Sequence, residues 1–159
     1  MTGWKDTLVN GWQLSTLMNF HKGQPYDETR SGLDVTCDPF KGLNHKFSAA
    51  QGGTIWVNPA CFTPATGGSL GIARNTYPGP GYSDVDFSIF KNFQFTERFK
   101  LQLRAEYYNL FNRVNLATGP GAVDLSSGLV SDTIGDWNGA PGIGPGEARN
   151  LQLVVKLIF

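Results

Sequence analysis

The chain has 159 residues, enough for one domain, with 13 basic and 13 acidic side chains and no net charge. That balance argues against nucleic acid as a partner, because phosphate binding requires a basic surface. Only 40% of residues are hydrophobic, mean hydropathy is −0.22, and no run approaches the roughly 18 apolar residues of a spanning helix, so the composition is too polar for a helical membrane protein.

In chain order, the first segment, Met1-Thr-Gly-Trp-Lys-Asp-Thr-Leu8, lacks the basic start and apolar stretch of a signal peptide. If the protein is exported, its signal lies upstream and this chain is expected to be a fragment. The first alternating segment follows at about Gly11 to His21. Trp12, Leu14, Thr16, Met18 and Phe20 share one face, and Gln13, Ser15, Leu17, Asn19 and His21 the other. Between it and the next such segment lies a long connection rich in turn formers: Lys22-Gly-Gln-Pro25, Ala65-Thr-Gly-Gly-Ser69 and Pro78-Gly-Pro-Gly81. Both cysteines, Cys37 and Cys61, fall in it. In an oxidising compartment such a pair is most simply a disulfide, worth about 3 kcal/mol by the loop-closure model. No CxxC is present, and His21 and His45 have no ligand spacing, so no metal site is expected.

The second alternating segment runs from about Ser83 to Phe95. Val85, Phe87, Ile89, Phe93 and Phe95 share a face that also carries Lys91; Asp84, Asp86, Ser88, Asn92 and Gln94 share the opposite face with Phe90. The third covers Phe99 to Phe111, with Phe99, Leu101, Leu103, Ala105 and Tyr107 set against Lys100, Gln102, Arg104 and Glu106. Phe99, Leu103, Tyr107 and Leu110 also fit a helical stripe, and the segment is rich in helix formers. A helix leaves Leu101 off that stripe, whereas a strand accounts for it. Thr96-Glu97-Arg98 then joins two strands whose odd residues are both apolar. Directly paired residues share a face, so an odd-length loop is required, most simply of three residues.

A second long connection contains Gly139-Ala-Pro-Gly-Ile-Gly-Pro-Gly146. Its Gly142–Gly146 portion looks like a phosphate loop but precedes a strand and has no helix after it. The terminal segment alternates again: Leu151, Leu153, Val155, Leu157 and Phe159 are apolar, while Asn150, Gln152, Val154, Lys156 and Ile158 form a wetter face. A soluble domain rarely places its most hydrophobic strand where fraying is easiest. A membrane barrel does so naturally, since that strand faces lipid on one side and lumen on the other. The four segments suit the roughly 9–11 residues of a tilted membrane strand better than the five or six of a soluble one.

The expected fold is therefore all-β: antiparallel strands of a transmembrane β-barrel, about four of them in a partial barrel, with two long external loops and one tight periplasmic turn. On this reading strands one and three rise, two and four descend, and the C-terminus lies in the periplasm of the cell outer membrane. Asp84, Asp86, Lys100, Arg104 and Glu106 are expected to face the lumen. Asp84 and Asp86 on one face suggest a carboxylate pair, but a structural polar wall with cross-strand pairing accounts for all five residues. No GK[ST] occurs, and neither a cofactor nor an enzymatic activity is expected.

Several motifs, taken in order, resemble the C-terminal end of TonB-dependent outer-membrane receptors of the type with an N-terminal carboxypeptidase-regulatory-like domain. They are Asn10-Gly-Trp-Gln-Leu-Ser15, Lys22-Gly-Gln-Pro-Tyr26, Trp56-Val-Asn-Pro-Ala-Cys-Phe62, Arg74-Asn75 with Pro78-Gly-Pro-Gly-Tyr82, Asp86-Phe-Ser-Ile-Phe-Lys-Asn-Phe93, Arg104-Ala-Glu-Tyr-Tyr-Asn-Leu-Phe-Asn112 and Leu157-Ile-Phe159. The resemblance covers nearly the whole chain. It implies that residues 1–159 are part of a plugged barrel of about 22 strands, with the plug and TonB box absent here. The implied function is energy-coupled uptake of a ligand across the outer membrane. The implied partners are outer-membrane lipid, the missing strands and plug of the parent, TonB, and the barrel-assembly machinery, which would read Leu151, Leu153, Val155, Leu157 and Phe159 as an assembly signal. The alternative is a soluble or surface β-rich carbohydrate-binding or adhesin module, with Trp56, Trp137 and Tyr82 as sugar-stacking platforms.

Overall fold

The structure, a computed structural model, describes residues 8–26, 32–73, 75–119, 121–137 and 147–159. Residues 1–7, Arg74, Gly139–Gly146 with its phosphate-loop-like portion, and the side chain of Trp137 lie outside the described residues. In chain order the strands are β1 (Trp12–His21), β2 (Pro25–Tyr26), β3 (Leu33–Val35), β4 (Phe47–Ser48), β5 (Gly53–Ile55), β6 (Phe62–Pro64), β7 (Tyr77–Pro78), β8 (Tyr82–Gln94), β9 (Lys100–Tyr108), β10 (Leu129–Val130) and β11 (Asn150–Ile158). A 3-10 turn spans Pro59–Cys61, and a single-turn helix α1 spans Ile134–Trp137. No helix among the described residues is long and apolar enough to cross a membrane. The chain divides into two units, one comprising residues 1–19, 83–113 and 148–159, the other residues 20–82 and 114–147.

The first unit is built on a four-stranded sheet in the order β1-β8-β9-β11. All four alternating segments are strands, and the helical alternative for residues 99–111 does not form. The register shows why. Leu101, Leu103, Ala105 and Tyr107 lie directly opposite Phe93, Lys91, Ile89 and Phe87 of β8 on one side and Leu157, Val155, Leu153 and Leu151 of β11 on the other. Cross-strand rows such as Phe93–Leu101–Leu157 and Ile89–Ala105–Leu153 thus make one apolar face, and a strand is the only conformation that puts every apolar residue of β9 on it. The even rows, Ser88–Glu106–Gln152 and Asn92–Gln102–Lys156, make the polar face. The sheet is open: β1 and β11 are its edges.

The connection between β8 and β9 keeps the expected parity. Gln94 pairs with Lys100, leaving five residues rather than three between the strands. The Phe95 amide donates to the Phe99 carbonyl at 3.0 Å, which draws the effective turn down to Thr96–Arg98, and the Phe99 amide donates to Thr96 Oγ1 at 3.0 Å. The third strand ends at Tyr108 rather than running on to Phe111, because Asn109 and Asn112 adopt φ of 48° and 50°. Asparagine tolerates that left-handed conformation, and it breaks the pleat.

The second unit comes from the two long connections. These were expected to be dominated by turns, yet they hold a three-stranded sheet (β10-β5-β4) and two strand pairs, β2–β7 and β3–β6. Its core is Val57, Ala117, Ala122, Val123, Leu125 and Val130, drawn from both connections. The join is direct: Leu129 and Val130 pair with Ile55 and Thr54. At Gly128, with φ of 76°, the carbonyl accepts from the Trp56 and Val57 amides, and a Cβ there would stand 2.2 Å from the Val57 oxygen. Only glycine permits that approach. Cys37 and Cys61 form a disulfide, with Cα atoms 5.0 Å apart. The Thr36 amide donates to the Cys61 carbonyl at 2.9 Å, so the bond staples the exit of β3 to the 3-10 turn before β6.

Candidate functional site

Two regions of the molecule offer chemistry: the polar face of the sheet, and a cleft in the unit made by the long connections. On the sheet, the five charged residues singled out from the sequence do not form one cluster. Lys100 starts β9, whereas Asp86 reaches the Asn109 amide just beyond its end, so the set is spread over roughly 26 Å. The pairing also differs from expectation. Among the described residues, Arg104 forms an ion pair with Glu106 within one strand, because residues two apart share a face. Across strands, the Arg104 guanidinium stacks on Phe90 at 4.9 Å and Gln102 Nε2 donates to Asn92 Oδ1 at 2.9 Å. Glu106 is buried and Arg104 partly exposed. Asp84 is buried, and Asp86 Oδ1 accepts from the Asn109 amide at 3.0 Å.

Asn109, within the Arg104–Asn112 motif, is a structural hub. Its side-chain oxygen accepts from the Arg113 amide at 2.8 Å and its side-chain nitrogen donates to the Arg113 carbonyl at 2.7 Å. Asn112 Oδ1 accepts from the Arg149 amide at 2.9 Å, fixing where β11 begins. The Arg104–Asn112 motif therefore terminates one strand and positions the start of another.

The apolar face of β8 carries a cation, Lys91. It is only 4% exposed. Its ammonium donates to the Leu8 carbonyl at 2.9 Å and to the Asn10 carbonyl, and lies 4.7 Å from the Trp12 ring and 5.4 Å from the Phe93 ring. Carbonyl dipoles and ring faces replace the water that a cation on an apolar surface would lose. Beside it lies a hollow of about 380 Å³ bordered by Ile89, Phe93, Leu103, Ala105 and Leu153, where the small Ala105 leaves room between larger neighbours. The apolar members of the terminal strand are uncovered: Leu151, Leu153, Val155, Leu157 and Phe159 are all more than half exposed. So are Leu14, Met18 and Phe20 of β1.

In the second unit, a cleft of about 550 Å³ is lined by Asp34 and Val35 of β3, by Ser69, Gly71 and Ile72, and by Thr76 and Tyr77. The Tyr77 ring is held by an edge-on contact with Phe62 at 6.0 Å and a tilted one with Phe40 at 5.8 Å. Burial, with the Asp38 charge adding to it, pushes the Tyr77 phenol above its ordinary pKa, so it is a hydroxyl at physiological pH. This cleft had no signal in the sequence beyond the Ala65–Ser69 turn.

Two of the aromatic residues named as sugar platforms, Trp56 and Tyr82, are engaged within the chain; the Trp137 side chain lies outside the described residues. The Trp56 indole donates to the Pro78 carbonyl at 3.0 Å and its ring meets His45 at 4.3 Å. Tyr82 is buried and stacked on His21 at 5.1 Å. Among the described residues no group of three or more His, Cys, Asp or Glu side chains is arranged to hold a metal.

An open antiparallel sheet with one predominantly apolar face, exposed at both edge strands, has in water no partner to cover it; lipid is the medium that suits it. Comparison with known proteins bears on this directly. The family model described as outer membrane beta barrel domain matches residues 2–152, nearly the whole chain. No curated protein and no solved structure shows significant similarity to it. The chain belongs to the outer membrane beta barrel domain family, and its location is the outer membrane.

Proposed function

We propose that this chain is the C-terminal wall and loop region of a TonB-dependent receptor, in which residues 1–159 complete a larger barrel and the loop unit takes part in capturing the ligand. The single observation that carries the reading is the open sheet β1-β8-β9-β11, whose apolar face continues to the C-terminal Phe159. Four strands cannot close a barrel around a lumen. Further strands must pair with the edges, and the ordered motifs from Asn10 to Phe159 resemble those of plugged receptors. On this reading the Arg104–Glu106 pair and the Asn92–Gln102 bond line the lumen beside the plug, Leu151 through Phe159 is the segment read by the barrel-assembly machinery, and the protein has no catalytic role. Energy for uptake comes through TonB, by contacts in the parent outside this chain.

The test is the native reading frame and its product. A signal peptide, a TonB box and a plug domain encoded upstream of Met1, with ligand accumulation abolished by deleting the TonB box, is the expected result. A mature outer-membrane protein that begins at Met1, or uptake indifferent to TonB, contradicts the proposal.

A further inference from the structure

We infer that the hollow over Ala105, on the apolar face of the sheet, is a binding site for one hydrocarbon chain of a membrane phospholipid, selected by the chain and not by the charge of the headgroup. The inference goes beyond the receptor reading. It rests on the outer-membrane location and the assignment of faces, not on TonB or on what the loop unit captures.

The floor is set by register. Ala105 lies directly between Ile89 and Leu153 in its cross-strand row. A methyl group between two larger side chains leaves a depression of about 380 Å³, at the lower end of the range of small-molecule sites. Leu153 is 72% and Val155 69% exposed, so the depression is open on the β11 side. The wall on the β1 side is built by specific contacts. The Gly11 carbonyl accepts from the Asn92 amide at 2.8 Å, and at Gly11, with φ of 80°, a Cβ would stand 2.4 Å from the Asn92 oxygen. Only glycine permits that approach. The Leu8 carbonyl accepts from Lys91 Nζ and from Trp12 Nε1, each at 2.9 Å, and the Asn10 carbonyl accepts from Lys91 as well. Lys91 therefore clamps the segment before β1 against β8, and Leu8 and Trp12 border the hollow as a result.

The chemistry of the occupant follows from the lining. The surface of the hollow is almost wholly apolar although Lys91 and Arg104 border it. Both charges are engaged elsewhere: the Lys91 ammonium on the two carbonyls and the Trp12 and Phe93 rings, the Arg104 guanidinium on Phe90 and Glu106. What they present to the hollow is hydrocarbon. A polar group placed there loses its hydration and finds no partner, whereas an alkyl chain loses nothing. In the proposed orientation the turn at Thr96–Arg98 is periplasmic, and Lys91 lies only three residues from the end of β8 at that turn. The hollow then opens to the inner, phospholipid leaflet, which supplies such chains.

The experiment uses the barrel-forming protein in micelles of a rigid steroid detergent, which has no flexible chain to compete. It is titrated with phosphatidylcholine and, separately, with phosphatidylglycerol bearing the same chains. The methyl resonances of Ala105, Ile89 and Leu153 are followed by NMR, with Leu14 of β1, exposed and not bordering the hollow, as the reference. Saturable shifts and chain-to-methyl contacts at Ala105, equal within about twofold for the two headgroups and without saturation at Leu14, are expected. Ala105→Leu fills the floor and should weaken binding at least about tenfold. If Ala105→Leu also lowers the heat-modifiable fraction, Lys91→Met decides: it releases the Leu8 wall, leaves the floor intact and should weaken binding several-fold. Equal contacts at Leu14 and Ala105, which mean an ordinary lipid annulus only, overturn the inference. So does a preference of more than about tenfold for the anionic lipid, or shifts that follow protein concentration without lipid, as a second copy would give. TonB dependence is measured separately, so failure of either reading leaves the other standing.

Discussion

The most informative perturbation is a charge placed on alternate residues of β11. Leu153 sits in the row Ile89–Ala105–Leu153, near the middle of the strand, and its side chain is 72% exposed. On the proposed assignment of faces that exposure is to hydrocarbon. Leu153→Arg near the midplane therefore costs roughly 2–4 kcal/mol, a shift of about thirty- to several hundred-fold in the folding equilibrium. Gln152 is one residue away, in the row Ser88–Glu106–Gln152. Gln152→Arg puts the same charge on the polar face, opposite the Glu106 carboxylate, where it is tolerated. The assay is reversible folding of the barrel-forming protein into lipid vesicles, with the folded fraction read from electrophoretic heat modifiability across a urea series. Leu153→Arg should move the midpoint strongly while Gln152→Arg leaves it nearly in place. Equal losses for the two variants would falsify the assignment of faces, since backbone and position along the strand are otherwise matched. Phe87→Arg, on the same face of β8, should behave as Leu153→Arg does.

Deleting Phe159, the exposed terminal aromatic, should lower the yield of heat-modifiable barrel in cells; unchanged yield would leave β11 an ordinary strand without an assembly role. Asn109→Ala removes two hydrogen bonds to Arg113 and places an alanine at φ 48°, and should cost about 2–3 kcal/mol; Asn109→Gly keeps the turn but not the clamp and should cost less, as read by urea unfolding. The paired change Cys37→Ser, Cys61→Ser removes the disulfide and should destabilise the loop unit by about 3 kcal/mol, with hydrogen exchange accelerated at Trp56 and Val57 while the amides of β9 are unaffected. Asp124 is held below its ordinary pKa of 3.8 by the Ser126 and Ser127 hydroxyls. A depressed folded-state pKa contributes stability that is present above the unfolded value and lost as pH falls through the folded one. The turn at Asp124–Gly128 should therefore loosen only below about pH 4, and Asp124→Asn should remove that pH dependence, as seen in exchange of the Gly128 amide.

The membrane-facing half of the fold was legible in the sequence because it obeys a period. Odd residues from Val85 to Phe95 and from Phe99 to Tyr107 are apolar apart from Lys91, and the parity rule then fixes the register that pairs Phe93 with Leu101. The loop unit was not legible for the opposite reason. Its strands are two or three residues long, too short to show alternation, and its core joins residues as distant as Val57 and Val130. Gly128 and the Pro59–Cys61 turn look like breakers in one dimension, yet in the fold they permit the close approach that builds the core. The disulfide could be read from the presence of two cysteines in one connection, but not its task of bracing β3. The individual partners along the polar face were not legible, because side-chain pairing depends on which residues the register places alongside one another. Asp86 is drawn to the Asn109 turn, and Arg104 finds Glu106 on its own strand. Lys91, apparently misplaced, is explained only by the carbonyls of Leu8 and Asn10, which no periodicity places beside it.

The central claim is that one face of this sheet meets lipid and the other does not. Single cysteines introduced at positions 151 to 158 and spin-labelled in bilayers test it directly, since both native cysteines are held in the disulfide. The account predicts that accessibility to dissolved oxygen peaks at 151, 153, 155 and 157, while accessibility to a water-soluble nickel complex peaks at 152, 154, 156 and 158. Nickel accessibility at both sets of positions, or no alternation between them, would contradict it.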